Sequence, residues 1–127
     1  MKAQEIFDTV AAHLRQQNSK ALMSDELRQT LRMGPGTCVY RNSEGKKCAV
    51  GCLLLEDEYQ SDMEGQAIGF IIGHTKYNAS LMRLSPHIKL IKEFQSLHDN
   101  YDVEDWEEGL QDIADVFKLT YTPKGTC

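Results

Sequence analysis

Val103, Trp106, Leu110, Ile113, Ala114 and Phe117 stand at offsets 0, 3, 7, 10, 11 and 14. That spacing gathers them on one side of an α-helix and scatters them over both faces of a strand. A second stripe precedes this seam: His87, Leu90, Ile91, Phe94, Leu97, His98 and Tyr101, opened by Ser85-Pro86 as N-cap and first helical residue. Asp102, with Asp105 three residues on, is the expected cap of the last helix. A third helix is read near the start, where Ala3, Ile6, Phe7, Val10, Ala11 and Leu14 recur at helical spacing and Asn18-Ser19 offers a stop. A shorter helix follows, with Ser24 as N-cap and Leu27 and Leu31 sharing a face, closed by Gly34-Pro35-Gly36.

Between these helices the pattern changes. TCVYR (37–41) and KKCAVGCLLL (46–55) are apolar-tending runs separated by Asn42-Ser43-Glu44-Gly45, which predicts a β-hairpin, although a short apolar run also fits a helix. EDEYQSD (56–62) reads as a polar connection, and EGQAIGFIIGH (64–74) as buried chain of either type. The expected fold class is α+β, a helix-dominated single domain over 1–127 with a small β-hairpin. Its core segments are about 3–17, 37–55, 64–74 and 85–119.

Charge is unevenly placed. Residues 1–84 carry ten Lys/Arg and ten Asp/Glu, whereas Glu93 to Phe117 holds nine acids and no Lys or Arg. Net charge is −5, which argues against general nucleic-acid binding. The polarity instead allows a local anion site in the basic part and docking of a basic partner on the acidic part, through Glu104, Glu107 and Glu108. No run approaches the roughly 18 apolar residues of a membrane span. The start MKAQEIFDTVAAHLRQQ has acids where a signal peptide has a continuous apolar stretch, so the expectation is a cytoplasmic protein without a membrane role, as monomer or homodimer.

In a reducing compartment Cys38, Cys48, Cys52 and Cys127 are expected as thiols. Cys48 and Cys52 share a face in either structure, about 13 Å apart on a strand and about 6 Å apart on a helix. No cofactor is expected. Zinc on Cys38, Cys48, Cys52 and His98 is an alternative that the residue types allow, but C-x3-C is not the commonest knuckle and no second knuckle follows. A cysteine-dependent enzyme is a further alternative. Lys46, Lys47 and Arg41 would lower the pKa of Cys48, and His98 would act as base for Cys48 or Cys52. Asp102 is better placed than Asp99 to orient that base, because adjacent helical residues diverge by about 100°. No catalytic signature surrounds either cysteine, so packing beneath the hairpin is the expected role of both.

Anion recognition without chemistry fits the same stretch. Tyr40, Arg41 and Lys47 gather at one end of the hairpin and supply a stacking face, a bidentate fork and a mobile charge. The ligand set read from the sequence is Tyr40, Arg41, Lys47, Cys48, Glu64 and His98, and phosphate with a stacked base is the class it suits.

The order Cys38-Val39-Tyr40-Arg41, Lys47-Cys48-Ala49-Val50-Gly51-Cys52-Leu53, Tyr59, Met63-Glu64-Gly65 and Leu97-His98-Asp99 resembles a group of small uncharacterised phage and prophage proteins. The likeness covers most of residues 37–110. That group tends to have Leu-Ile-Pro after the second cysteine, where this chain has Leu53-Leu54-Leu55. The resemblance implies context rather than mechanism: a non-enzymatic accessory protein in a host cytoplasm, of a kind that counters antiviral defence. Such a protein would sequester a phosphate-bearing small molecule or inhibit a host protein.

Overall fold

The computed structural model describes residues 2–30, 32, 38–55, 58–64, 66, 68–73 and 79–123. Five α-helices are built from them: α1 (Ala3–Gln17), α2 (Asp25–Thr30), α3 (Ile68–Gly73), α4 (Ile88–Asn100) and α5 (Trp106–Phe117). Short 3-10 helices at Gly51–Leu53, Ser61–Met63, Ala79–His87 and Val103–Asp105 connect them.

The three expected long helices form where their seams lie. α1 buries Ile6, Phe7, Val10, Ala11 and Leu14; α4 buries Leu90, Ile91, Phe94, Leu97 and His98; α5 buries Trp106, Leu110, Ile113 and Ala114. Phe7 of α1 meets Phe94 of α4 with ring centroids 5.7 Å apart, so the two stripes close one core. α4 and α5 pack together, and α1 lies against the Gly51–Leu53 turn. Asn18 stops α1 in the left-handed conformation at φ 49°, its N–H donating to Leu14 O at 2.9 Å. None of the described helices is long and apolar enough to cross a membrane.

Helix starts depart from expectation. Ser85-Pro86 does not open α4: both residues lie inside the 3-10 helix Ala79–His87, whose φ proline accepts equally well, and α4 begins at Ile88. Asp102 accepts the Asp105 N–H through its backbone carbonyl at 2.8 Å and gives no side-chain cap, so α5 is entered through a 3-10 turn. Ser24 does cap α2, its Oγ accepting the Leu27 N–H at 3.2 Å. No residue of α2 is buried, and Leu27 faces water; Leu31 and Gly34-Pro35-Gly36 lie outside the described residues.

The predicted β-hairpin is not formed, and the fold class is corrected from α+β to helix-dominated: there is no strand among the described residues. The segment makes only isolated antiparallel bridges, Leu22 with Cys38 and Arg41 with Lys47. Asn42 closes the loop between Arg41 and Lys47 with its side chain, Oδ1 accepting the N–H groups of Glu44 and Lys46 at 3.0 and 2.9 Å. After Lys47 the chain coils, Cys52 N–H donating to Cys48 O at 3.2 Å and Leu53 N–H to Val50 O at 2.9 Å. The reason is burial. Cys48, Ala49 and Val50 are consecutive and all fully buried, whereas a strand on the edge of a helical core buries alternate residues only.

The 56–62 connection is also less polar in role than in composition. Glu58 is 1% exposed and accepts from the Arg83 guanidinium and from the Leu55 N–H, both at 2.8 Å. Arg83 donates in addition to Leu53 O at 2.8 Å, which ties the coiled segment to the Ala79–His87 helix. An ionised buried carboxylate is tolerated only with such pairing.

Candidate functional site

Three remote stretches meet at a cleft of about 470 Å³. One wall is Cys38, Val39 and Tyr40, the second Glu64, Gln66 and Ile68, and the third the side of α4 that presents Lys92, Gln95, Ser96 and Asp99. Positions 92, 95, 96 and 99 fall on one helical face, the polar neighbour of the buried stripe.

Glu64 fixes the first wall against the second. Its Oε1 accepts the Tyr40 N–H at 2.8 Å, and its Oε2 accepts the Arg41 N–H at 3.2 Å and the Tyr59 hydroxyl at 2.6 Å. Burial, then the Glu64 carboxylate, holds the Tyr59 hydroxyl well above the ordinary tyrosine range, so it stays protonated and donates. The Arg41 guanidinium lies 4.7 Å over the Tyr59 ring. Tyr40 is buried, and its hydroxyl donates to Gln66 O.

On the α4 wall Asp99 is the organising group. Gln95 Nε2 donates to both its oxygens at 3.1 Å, His98 Nδ1 lies 2.8 Å from Oδ1, and Lys20 Nζ donates to its backbone carbonyl at 3.2 Å. Anchoring of the Gln95 amide by Asp99 leaves its buried Oε1 without a hydrogen-bond donor among the described residues. His98 is fully buried, stacked on Trp106 at 5.6 Å, and its Nε2 accepts the Ala21 N–H at 3.1 Å. A ring that accepts at Nε2 and donates at Nδ1 is neutral, with both nitrogens engaged.

That tautomer bears on the metal and nucleophile alternatives. Cys38, His98 and Asp99 bring ligand atoms within 4.8 Å of one another, but Cys48 and Cys52 are not in that group. With the proton on Nδ1 and the Nε2 lone pair given to Ala21, His98 has no lone pair to offer a zinc ion or a thiol. Cys48 is fully buried and its Sγ accepts the Gly51 N–H at 3.2 Å; burial pushes its thiol up. Cys52 donates to Ala49 O at 3.1 Å and is pushed up to about 12, mainly by burial. Cys38 is likewise pushed up to about 12, by burial and then by Asp99. Cys48 packs within the core, and His98 ties α4 to the chain at Ala21.

Of the residues chosen from the sequence, Tyr40 and Glu64 line the cleft, and His98 lies beneath it behind Asp99. Arg41 is turned onto Tyr59. Lys47 is docked by its main chain on the end of α1, its N–H donating to Gln17 Oε1 at 2.9 Å and its carbonyl accepting from Gln17 Nε2 at 2.9 Å and His13 Nε2 at 2.8 Å. Cys48 supports the turn from within the core. Asp99, not Asp102, contacts His98: neighbours diverge at Cβ, but a carboxylate reaches back across that angle, and Asp102 is exposed. Glu104 and Glu108 are exposed as expected. Glu107 is not a free acid, because Arg15 donates to it at 2.8 and 2.9 Å and the Tyr121 hydroxyl at 2.8 Å.

Lys92, Gln95 and Ser96 escaped the sequence reading, which weighed Asp99 only as an orienter of His98 and preferred Asp102. The spacing of all four is a legible signal, since polar residues at i, i+3, i+4 and i+7 beside an apolar stripe mark a face adjoining the core rather than opposite to it. No family model, curated protein or solved structure matches this chain.

Proposed function

We propose that the chain is a non-enzymatic binding protein of phage type, acting in a host cytoplasm, that holds a small phosphate-bearing molecule in the cleft lined by residues 38–40, by Glu64, Gln66 and Ile68, and by α4. The observation that carries this reading is convergence. The Cys38–Arg41, Met63–Gly65 and Leu97–Asp99 stretches, which carry the resemblance to phage proteins, each contribute to the walls of one cleft through Cys38, Tyr40, Glu64 and Asp99. A concave site with a few convergent polar groups is the usual form of a small-molecule pocket.

The polar groups suit a ligand with two ends. Gln95 and Asp99 form an acceptor-rich wall for the amine or amide donors of a base-like body. Lys92, exposed on the same wall, meets a phosphate as a mobile point charge. The cationic role thus passes from Arg41 and Lys47 to Lys92. Thiols held protonated by burial, beside a neutral and fully engaged His98, favour binding over nucleophilic catalysis.

Thermal melts with nucleoside monophosphates, cyclic dinucleotides and inorganic phosphate test this. At a concentration 100 times Kd a ligand adds about 2.7 kcal/mol of stability, a shift of several degrees. The shift should vanish in Lys92→Glu and shrink in Gln95→Leu. Absence of a shift with every compound at millimolar concentration, or equal shifts in both variants, would overturn the reading.

A further inference from the structure

We infer that the outer groove between α4 and α5 is a docking site for a basic amphipathic helix of another protein. The groove encloses about 220 Å³ on the face of α4 next to the ligand cleft, with Ser96 lining both. Leu97, Gly109 and Ile113 form its buried floor, and Tyr101 and Val116 its exposed shoulders. Val116 is 74% exposed, more than any other exposed large apolar residue among those described, and Tyr101 is 44% exposed. Two apolar shoulders beside an apolar floor make a surface that gains from being covered.

Gly109 explains the close approach of the two helices here. A Cβ at that position would stand 2.2 Å from Leu97 Cδ1, so Leu97 lies where a side chain of α5 would otherwise be. From Glu93 to Tyr101 the α4 edge runs eight residues, about 12 Å. That length receives two turns of a partner helix, with apolar anchors at i and i+4 or i+7.

Charge selects the occupant. Glu93 and Asp112 stand on the groove itself, and Glu108 and Asp115 are exposed on the same helix as Asp112, within the stretch 93–117 that has no Lys or Arg. A helix carrying Lys and Arg beside its apolar anchors complements this rim. A second copy docking groove to groove would set the same acids against each other, a costly like-charge contact. Glu107 takes no part, being held by Arg15 and Tyr121.

The test uses the full chain and a fluorescein-labelled 16-residue peptide, rich in Lys and Ala, with Leu at three positions spaced i, i+4 and i+7. Fluorescence anisotropy should show saturable binding. Affinity should fall at least tenfold for a scrambled peptide of equal charge, and at least tenfold for Val116→Asp. The added acid in that variant would favour a basic peptide by charge alone, so its loss reports the apolar anchor. Glu93→Lys with Asp112→Lys should weaken binding to a similar degree, with unchanged melting of both exposed-site variants as the control for folding. Equal binding of the scrambled peptide, no effect of Val116→Asp, or no binding would each overturn the inference. A dimer in light scattering that Val116→Asp turns to monomer would assign the groove to a second copy and overturn it too.

Discussion

The α4–α5 pair and the segment 38–66 share one core yet keep their shapes by different means. In the helical pair, backbone groups satisfy one another locally and the apolar seams do the packing. In 38–66 several backbone groups are satisfied instead by side chains: Glu64 takes the N–H groups of Tyr40 and Arg41, Gln17 of α1 both ends of Lys47, and Asn42 the turn. The first arrangement hangs its backbone hydrogen bonds on no single side chain. The second concentrates the fold of a whole segment in a few side chains, as a binding wall of fixed shape requires.

Two glycines sharpen that contrast most. A Cβ on Gly51 would stand 1.9 Å from the carbonyl oxygen of Tyr40, which is backbone and cannot swing aside. Gly51→Ala should cost about 3 kcal/mol or more in urea unfolding. On Gly109 the obstructing atom is the end of a leucine. There the gain of about 1 kcal/mol from alanine's helix propensity offsets the displacement of Leu97. Gly109→Ala should therefore change stability by no more than about 1 kcal/mol. Equal costs at the two sites would break the comparison.

Glu64→Gln comes next, at about 2 kcal/mol, because an amide cannot accept from both backbone N–H groups and the Tyr59 hydroxyl together. Its mark should be local. Hydrogen exchange at Tyr40 and Arg41 should accelerate while the amides of α4 and α5 stay protected. Acceleration across both regions would mean that they unfold as one unit.

The dependence on pH has two shoulders. His13, its Nε2 donating to Lys47 O, has a pKa lowered from 6.5 chiefly by burial. The unfolded chain then binds more protons as pH falls through 6.5, so stability drops on the acid side. Cys38 and Cys52, pushed up to about 12 from an ordinary value near 9, act in the opposite sense. The folded chain holds their protons between 9 and 12, so stability falls as pH rises above about 9. His13→Gln should flatten the acid shoulder alone. At pH 8, Cys38, Cys48 and Cys52 should label with iodoacetamide far more slowly than in urea; fast labelling of Cys48 would reopen nucleophilic catalysis.

Arg15 and Glu107 give the smallest effect. Their side chains are 22% and 34% exposed, and a double-mutant cycle should return about 1 kcal/mol or less despite the two-bond geometry.

The seams of α1, α4 and α5 were legible because helical periodicity is written within about four turns of chain and needs no partner to be read. The 46–55 run was not. Its apolar residues identified burial, but whether Cys48, Ala49 and Val50 lie on a pleat or coil inside a core depends on what surrounds them. The cleft was half legible: Tyr40 and Glu64 were chosen, while Asp99 was set aside on a helical-angle argument that ignores how far a carboxylate can reach. Arg41 and Lys47 do not line the cleft, because charge in a loop says nothing about which aromatic ring or helix end lies beneath it.

The sequence by itself determined the long helices, their buried faces and the acidic stretch 93–117, all properties of local spacing and composition. Tertiary structure alone decided that 38–66 would coil rather than pair, that His98 would be spent on Ala21 and Asp99, and that Glu107 would be drawn to Arg15. The hydrogen bonds from Glu64 to Tyr40, His98 to Ala21 and Arg15 to Glu107 that decide these span 24, 77 and 92 positions. Such long-range partners have no period, so no local pattern can announce them.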